Sequence, residues 1–335
     1  MSKNITIAVD AMGGDGSPKK IIDGIVHHFK NTSKVFYNIY GDADEIEKNI
    51  PTSLDKNFYK IYNTKNFVKG TDTPLEAAKR GKDTSMWLSI DSVKNNKSDA
   101  VISAGNTGAL LVIAKLNLKM IENIDKPALS ALWPNKKGMS VVLDLGANIE
   151  CSDKNLIDFA IMGSSVFKSL FPHELAKVAL LNIGSEEIKG NETIKETYKK
   201  LSALENQDYE FKGYIEGNNI MKGDVNVIVS DGFTGNIALK TAEGTANFIT
   251  DELKKTFTSN MTGKLSGLLN YFNLKKFKKR LDPRLYNGAI FIGLDSPVIK
   301  SHGATDFVGF SNSLSVCEKI VKGDLINKIK EKINQ

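Results

Sequence analysis

Ile5-Thr-Ile-Ala-Val-Asp10-Ala-Met-Gly-Gly-Asp15-Gly-Ser17 decides the reading of this chain, because a short β-branched run gives way at once to a polar turn carrying three glycines. The same pattern recurs along the sequence. Strand-like runs at Ile5–Asp10, Val35–Tyr40, Ala100–Ser103, Ser140–Leu145, Val178–Ile183, Val225–Ser230 and Pro297–Lys300 alternate with helix-length stretches. That alternation predicts an α/β fold with a mainly parallel sheet. Ligands of such sheets bind beyond the carboxyl ends of the strands, so the residues after each run matter most. They read Asp10-Ala-Met-Gly-Gly-Asp15, Ser103-Ala-Gly-Asn-Thr-Gly108, Asp144-Leu-Gly-Ala-Asn148, Asn182-Ile-Gly-Ser-Glu186, Ser230-Asp-Gly-Phe-Thr-Gly235-Asn236 and Ser301-His-Gly-Ala-Thr-Asp306. These six turns are expected to share one edge of the sheet.

Glycine lets the backbone approach a ligand closely, and the amides opening the next helix attract negative charge, so phosphate is the natural guest. Candidate binding residues are Asp10, Gly13, Gly14, Asp15, Gly105, Thr107, Gly108, Asn148, Ser185, Glu186, Gly190, Asp231, Gly232, Thr234 and Gly235. Each turn taken singly is better explained by capping and turn chemistry, and only the six together favour an anion site. Ser103, Gly105, Thr107 and Gly108 align with Ser230, Gly232, Thr234 and Gly235 after similar strands. This echo fits either an internal duplication or the shared needs of a strand-to-helix turn. Lys189, just ahead of Asn191, could reach an anion or lie in solvent, and His302 is a candidate proton shuttle.

Other chemistries find no footing. No Gly-Lys-Ser/Thr phosphate loop, dinucleotide glycine fingerprint or Gly-x-Ser-x-Gly elbow is present. No cofactor is therefore expected. Cys151 and Cys317 lie far apart, and the scattered Asp10, Asp15, Asp144 and Asp231 lack metal-ligand spacing, so neither a disulfide nor a metal is expected. The stretch from Met1 to Asn4 carries no basic segment ahead of an apolar core, and no apolar run approaches a membrane span, which points to a cytoplasmic protein.

Charge is concentrated rather than spread. Residues 254–284 hold nine Lys or Arg and one acid, against a net charge of +6 for all 335 residues. The remainder is slightly acidic, which excludes a nucleic-acid-coating surface. Leu265, Leu268, Leu269 and Phe272 recur at helical spacing beside Lys264, Lys275, Lys276, Lys278, Lys279 and Arg280, predicting a basic amphipathic helix inserted into a single domain spanning 1–335. Core or dimer packing, contact with an anionic membrane, and docking of an acidic carrier protein are all open for it.

The segments Ile7–Asp15, Ile102–Ala109, Leu143–Asn148, Phe159–Gly163, Leu181–Glu186, Lys189–Asn191, Ser230–Asn236 and His302-Gly303 together resemble the bacterial acyl-carrier-protein:phosphate acyltransferase family over nearly the whole chain. The resemblance implies a three-layer α/β/α fold of isocitrate-dehydrogenase-like type and a homodimer. It implies transfer of a long-chain acyl group from acyl carrier protein to inorganic phosphate, giving acyl phosphate for glycerol phosphate acylation in phospholipid synthesis. Gly16 departs from the family pattern, where a His or aromatic residue is common, so no acid–base role falls there. On this reading Lys189, Asn191 and the 105–108 and 232–235 turns hold phosphate, Asn106 or Asn236 faces the oxyanion, and His302 assists the leaving thiolate. The basic segment would meet the membrane, a downstream membrane acyltransferase or the carrier protein. A phosphotransacetylase-like enzyme using acyl-coenzyme A, or a non-catalytic membrane scaffold, are the competing readings.

Overall fold

The β-branched runs form strands because their side chains are buried on both faces of one sheet. In the computed structural model, which describes residues 5–32, 35–204 and 208–334, eleven strands run in chain order. They are β1 (Ile5–Asp10), β2 (Val35–Gly41), β3 (Tyr59–Asn63), β4 (Ala100–Ser103), β5 (Ala128–Pro134), β6 (Met139–Leu143), β7 (Ala176–Asn182), β8 (Tyr209–Glu216), β9 (Val227–Val229), β10 (Ala289–Ile292) and β11 (Val298–Lys300). Their spatial order is β3-β2-β1-β4-β11-β10-β5-β6-β9-β7-β8. The opening residues Met1–Asn4, read above for a leader, lie outside the described residues.

Helices cover both faces, giving three layers. On one face Ile7 and Val9 of β1 pack with Ile21, Ile22 and Ile25 of the helix Lys19–Phe29 and with Phe310 and Leu314 of the helix Phe307–Lys322. That apolar layer runs unbroken to Leu156 and Phe159 of the helix Asp153–Leu170. The opposite face is split into two clusters. Ala8 and Val101 pack with Met86, Ile90, Leu110 and Ile113, whereas Val142, Ala179 and Ile228 pack beneath Ala238, Leu239 and Ala242 of the helix Gly232–Thr258. Half-buried Leu129 of β5 touches both clusters, so this face has a seam over the middle strands.

Strand direction reverses at that seam. β10 is antiparallel to both β11 and β5, and β5 is antiparallel to β6, while the remaining pairings are parallel. The carboxyl ends of β1, β4 and β11 therefore lie at one edge, and those of β6, β9 and β7 at the other. This corrects the expectation of a single shared edge: the six glycine turns form two groups of three, one at each edge. The sheet is mainly parallel, as expected, but β3, β5, β8 and β10 were not among the strands read from sequence.

The basic segment is helical but not one helix. It takes in the end of Gly232–Thr258, the helices Met261–Leu269 and Tyr271–Arg280, and a 3-10 turn at Pro283–Tyr286. The continuous amphipathic helix expected through Phe272 is interrupted at Asn270, whose side-chain amide donates to the Ser266 carbonyl at 3.1 Å and ends the first helix. Leu265, Leu268, Leu269 and Phe272 all remain exposed, Leu269 and Phe272 each at 77%.

Candidate active site

The first edge is built from the turns after β1, β4 and β11. Asp10, at the end of β1, is buried and accepts from Ser103 Oγ at 2.6 Å, Ser85 Oγ at 2.7 Å and the Met12 amide at 3.3 Å. Burial raises its pKa, and the hydroxyl donors and Lys300 oppose that rise. Gly13 is obligatory beside it, since a Cβ there would lie 2.6 Å from the Gly105 amide nitrogen and 2.8 Å from Asp10 Oδ2. Gly14, at a φ of +85°, sits against the carbonyls of Ala104 and Gly303. The Asp15 amide closes the ring by donating to the Gly303 carbonyl at 3.1 Å, with the Asp15 side chain exposed.

Two lysines converge on this ring. Lys20 Nζ donates to the Gly303 carbonyl at 2.6 Å, and Lys300, only 8% exposed, points its Nζ at the carbonyls of Ser301 and Ala104. Burial, with repulsion from Lys20, brings the Lys300 pKa down to about 8. His302 is exposed at the mouth, where desolvation and then Lys300 lower its pKa, so it is neutral at pH 7. Its Nδ1 accepts from the Ala304 amide at 3.2 Å, leaving Nε2 without a partner among the described residues.

The second edge repeats the plan. Asp144, just past β6, is buried and collects the amides of Leu129, Gly146, Ala147 and Asn148 at 2.8–3.2 Å together with the Asn148 side chain at 2.9 Å. A Cβ on Gly232 would lie 2.8 Å from Asp144 Oδ2, and one on Gly235 would lie 1.9 Å from the Asp144 carbonyl oxygen. A cavity of about 280 Å³ opens there, lined by Gly146, Ile149, Gly232, Phe233, Asn236, Ile237 and Lys240. The Asn236 side chain is exposed and makes no hydrogen bond among the described residues. Lys189, also exposed and without an ion pair among them, stands in the turn after β7, next to β9 at the same edge.

Several candidates are committed elsewhere. Asn106, proposed to face an oxyanion, caps the helix Thr107–Asn117 by accepting from Ala109 and spends its amide on the carbonyls of Gly70 and Asp72. Asn148 gives its amide to Pro127 and Asp144, and Asp231 caps the helix Gly232–Thr258 through Thr234. Asn191 caps the helix Glu192–Ala203 through the Ile194 amide, with its own amide group exposed. Ser185 and Glu186 are exposed in the Lys189 turn, where Gly190 takes a φ of +95° against Asn182. Thr107 is exposed and Gly108 packs on Pro74 at the first edge, opposite the edge that carries Gly232 and Gly235. The 105–108 and 232–235 turns therefore do not hold one common phosphate.

One helix has residues near both edges. Gly232–Thr258 starts at the second edge and crosses the seam, so Lys240, which lines the Asn236 cavity, also acts electrostatically on His302 together with Glu243. Burial raises the pKa of Cys151 to about 11 and that of Cys317 further, which leaves both thiols protonated.

Residues 5–328 match the model of a family described as fatty acid synthesis protein. A phosphate acyltransferase from Pelagibacter ubique (strain HTCC1062) is 75% identical over 333 residues, spanning 99% of this chain and 100% of its own. The chain belongs to the phosphate acyltransferase family. A second phosphate acyltransferase, from Rhodospirillum rubrum, is 43% identical over 336 residues, 99% of this chain and 95% of its own. In fold the chain is similar to a phosphotransacetylase from Streptococcus pyogenes, with a TM-score of 0.64 at 15% identity over 96% of this chain and 95% of that one. It is likewise similar to the EutD phosphotransacetylase from Staphylococcus aureus, with a TM-score of 0.61 at 15% identity over 96% and 94%. Membership in this family makes the chain an acyltransferase.

For this phosphate acyltransferase family member, the structure brings three lysines that the sequence reading did not single out, Lys20, Lys300 and Lys240, to the two edges. Lys300 ends a strand and is buried with its Nζ against the carbonyls of Ala104 and Ser301. Its one sequence signal is a lysine directly before the Ser301-His302-Gly303 turn.

Proposed function

We propose that this acyltransferase moves a long-chain acyl group from the thioester of acyl carrier protein to inorganic phosphate, releasing acyl phosphate for glycerol phosphate acylation. The observation that carries the reading is the end-to-end match, at 75% identity, to a relative named phosphate acyltransferase. Side chains at the second edge support this reading. Asn236 offers a free amide to the thioester carbonyl oxygen, where negative charge develops, and the apolar side chains of Ile149, Phe233 and Ile237 offer a path for the acyl chain. Lys189 supplies the cation for phosphate, with Asn191 beside it.

Phosphate is an anionic nucleophile at neutral pH and needs no protein nucleophile, so positioning and oxyanion stabilisation carry the rate. The attacking phosphate oxygen forms the C–O bond, the tetrahedral centre collapses, and the C–S bond breaks to release the thiolate. With a free thiol pKa of about 8.5 the thiolate leaves without obligatory protonation, and a neutral His302 can offer it a hydrogen bond from Nε2–H rather than a proton.

The exposed apolar side chains of Leu265, Leu268, Leu269 and Phe272, with Lys275, Lys276 and Lys279, suit a peripheral contact with an anionic lipid surface on the cytoplasmic side. Exposed Phe248 and Ile249 on the long helix suit a second copy of the chain in a homodimer. The direct test is acyl phosphate formation from acyl carrier protein thioester and phosphate. A purified protein that forms acyl phosphate only from acyl-coenzyme A would refute the proposed donor.

A further inference from the structure

The first edge holds two ammonium groups that the reaction above does not use. Lys300 is nine-tenths buried and Lys20 half-buried, and neither forms an ion pair among the described residues. Asp10, the buried carboxylate nearest in sequence to this ring, already receives Ser85, Ser103 and the Met12 amide. Asp15 acts on Lys20 only at a distance, with its side chain in solvent. Both lysines are held by carbonyls around Gly14, Lys20 by Gly303 and Lys300 by Ala104 and Ser301. Asp10 attracts Lys300 and Asp15 attracts Lys20, but neither carboxylate pairs directly with a lysine, and an anion between the two ammonium groups would relieve their mutual repulsion. Gly13 and Gly14 pack closely on Gly105, Ala104 and Gly303, which fixes the turns that hold the two lysines.

We propose that Lys20 and Lys300, with the Gly13–Asp15 and Ser301–Gly303 turns, form a phosphoryl-binding subsite separate from the Asn236 cavity. Phosphoryl groups suit it because two point charges match a compact, multiply charged oxyanion better than a planar carboxylate. The mouth is open at His302, Asp15 and Ala304, all exposed. The helix Gly232–Thr258 leads from this mouth to Asn236, which puts the subsite within reach of one extended ligand. The chemistry fits either the phosphodiester of a carrier-protein thioester or the inorganic phosphate co-substrate, the second placing the phosphate here instead of at Lys189. The inference deepens the proposed function and relies on it only for the choice between those two sources.

Lys300→Met and Lys20→Met in the full-length protein test it by two readouts. The first is phosphate-dependent thermal stabilisation without any acyl donor, which requires no turnover and survives failure of the functional reading. The second is the pair of KM values for phosphate and for acyl carrier protein thioester. Each substitution is expected to raise one KM about tenfold, in line with loss of a charge-assisted contact, while kcat changes less. A rise in the phosphate KM, with loss of phosphate-dependent stabilisation, assigns the co-substrate. A rise in the carrier-protein KM, without a rise for an N-acetylcysteamine thioester that lacks the phosphodiester, assigns the donor. Folded variants of both lysines with unchanged stabilisation and both KM values within about twofold of wild type would overturn the subsite. Lys20→Met keeps the test decisive if the buried Lys300 variant fails to fold.

Discussion

Ser103 Oγ donates a 2.6 Å hydrogen bond to Asp10 Oδ2 across 93 residues of sequence, tying the ends of β4 and β1 beneath the Gly13–Gly105 contact. At the opposite edge the Asp144 amide donates to the Ser230 carbonyl at 2.9 Å, beneath the Gly146–Asn236 contact. Each edge thus has an aspartate and a serine on neighbouring strands under a glycine turn. Asp10→Asn replaces an acceptor by a donor facing Ser85, Ser103 and Met12. It should cost about 1–3 kcal/mol in urea unfolding, and a loss below half a kcal/mol would show that the ring tolerates the swap.

Glycine substitutions separate close approach from mere flexibility. Gly235→Ala drives a Cβ into the Asp144 carbonyl and should destabilise by about 1–3 kcal/mol or more. Gly244→Ala, in the same helix with nothing within 4 Å of the new Cβ, should stabilise by about 0.5–1 kcal/mol. Paired melting curves check both signs.

Lys189→Ala should leave the melting temperature unchanged, because the side chain is exposed and makes no ion pair among the described residues. Turnover with phosphate should fall on the order of a hundredfold if the lysine stabilises the developing charge. An unchanged phosphate dependence would remove Lys189 from the site.

His28 gives a pH test of the fold. It is buried, bonded to Tyr37 Oη at 2.8 Å and 3.4 Å from Glu318 Oε2, with His27 and Lys322 as further charges nearby. Burial holds its pKa well below the usual histidine range, against the opposing pull of Glu318. The unfolded chain therefore binds a proton below about pH 6.5 that the folded chain refuses, and stability falls as pH drops from there toward the depressed value. His28→Gln should flatten that part of the stability profile; an identical slope would place the acid sensitivity elsewhere.

Leu268→Asp should reduce co-sedimentation with anionic vesicles by about tenfold, since a charge replaces an apolar side chain that is 72% exposed. Turnover with carrier-protein thioester in solution should stay near wild type. The reverse outcome, intact vesicle binding with turnover lost, would assign the segment to the carrier protein.

The α/β class, the mainly parallel sheet and the glycine turns were legible because β-branched runs and turn residues act locally. The reversal at β10 and β5 was not, since Ala128-Leu-Ser-Ala-Leu-Trp-Pro134 is rich in helix formers and becomes a strand only between its neighbours. A clue existed in the short Asn135–Gly138 turn, where Asn135 Oδ1 accepts from the amides of Lys137 and Gly138 and marks a hairpin. The Asn236 and Lys189 side chains are exposed and without hydrogen-bond or ion-pair partners among the described residues, whereas the Asn106 amide is held by Gly70 and Asp72, which come from a distant segment.

The long helix that starts at Gly232 also fixes a distance. With a rise of about 1.5 Å per residue, the seven residues from Asn236 to Glu243 span roughly 10 Å as a stiff rod. Adding or removing a full helical turn there would move the two ends of the molecule's workspace apart or together without altering any side chain at either end. The length of that helical segment would therefore set how long a ligand could be if one molecule spans both edges as proposed.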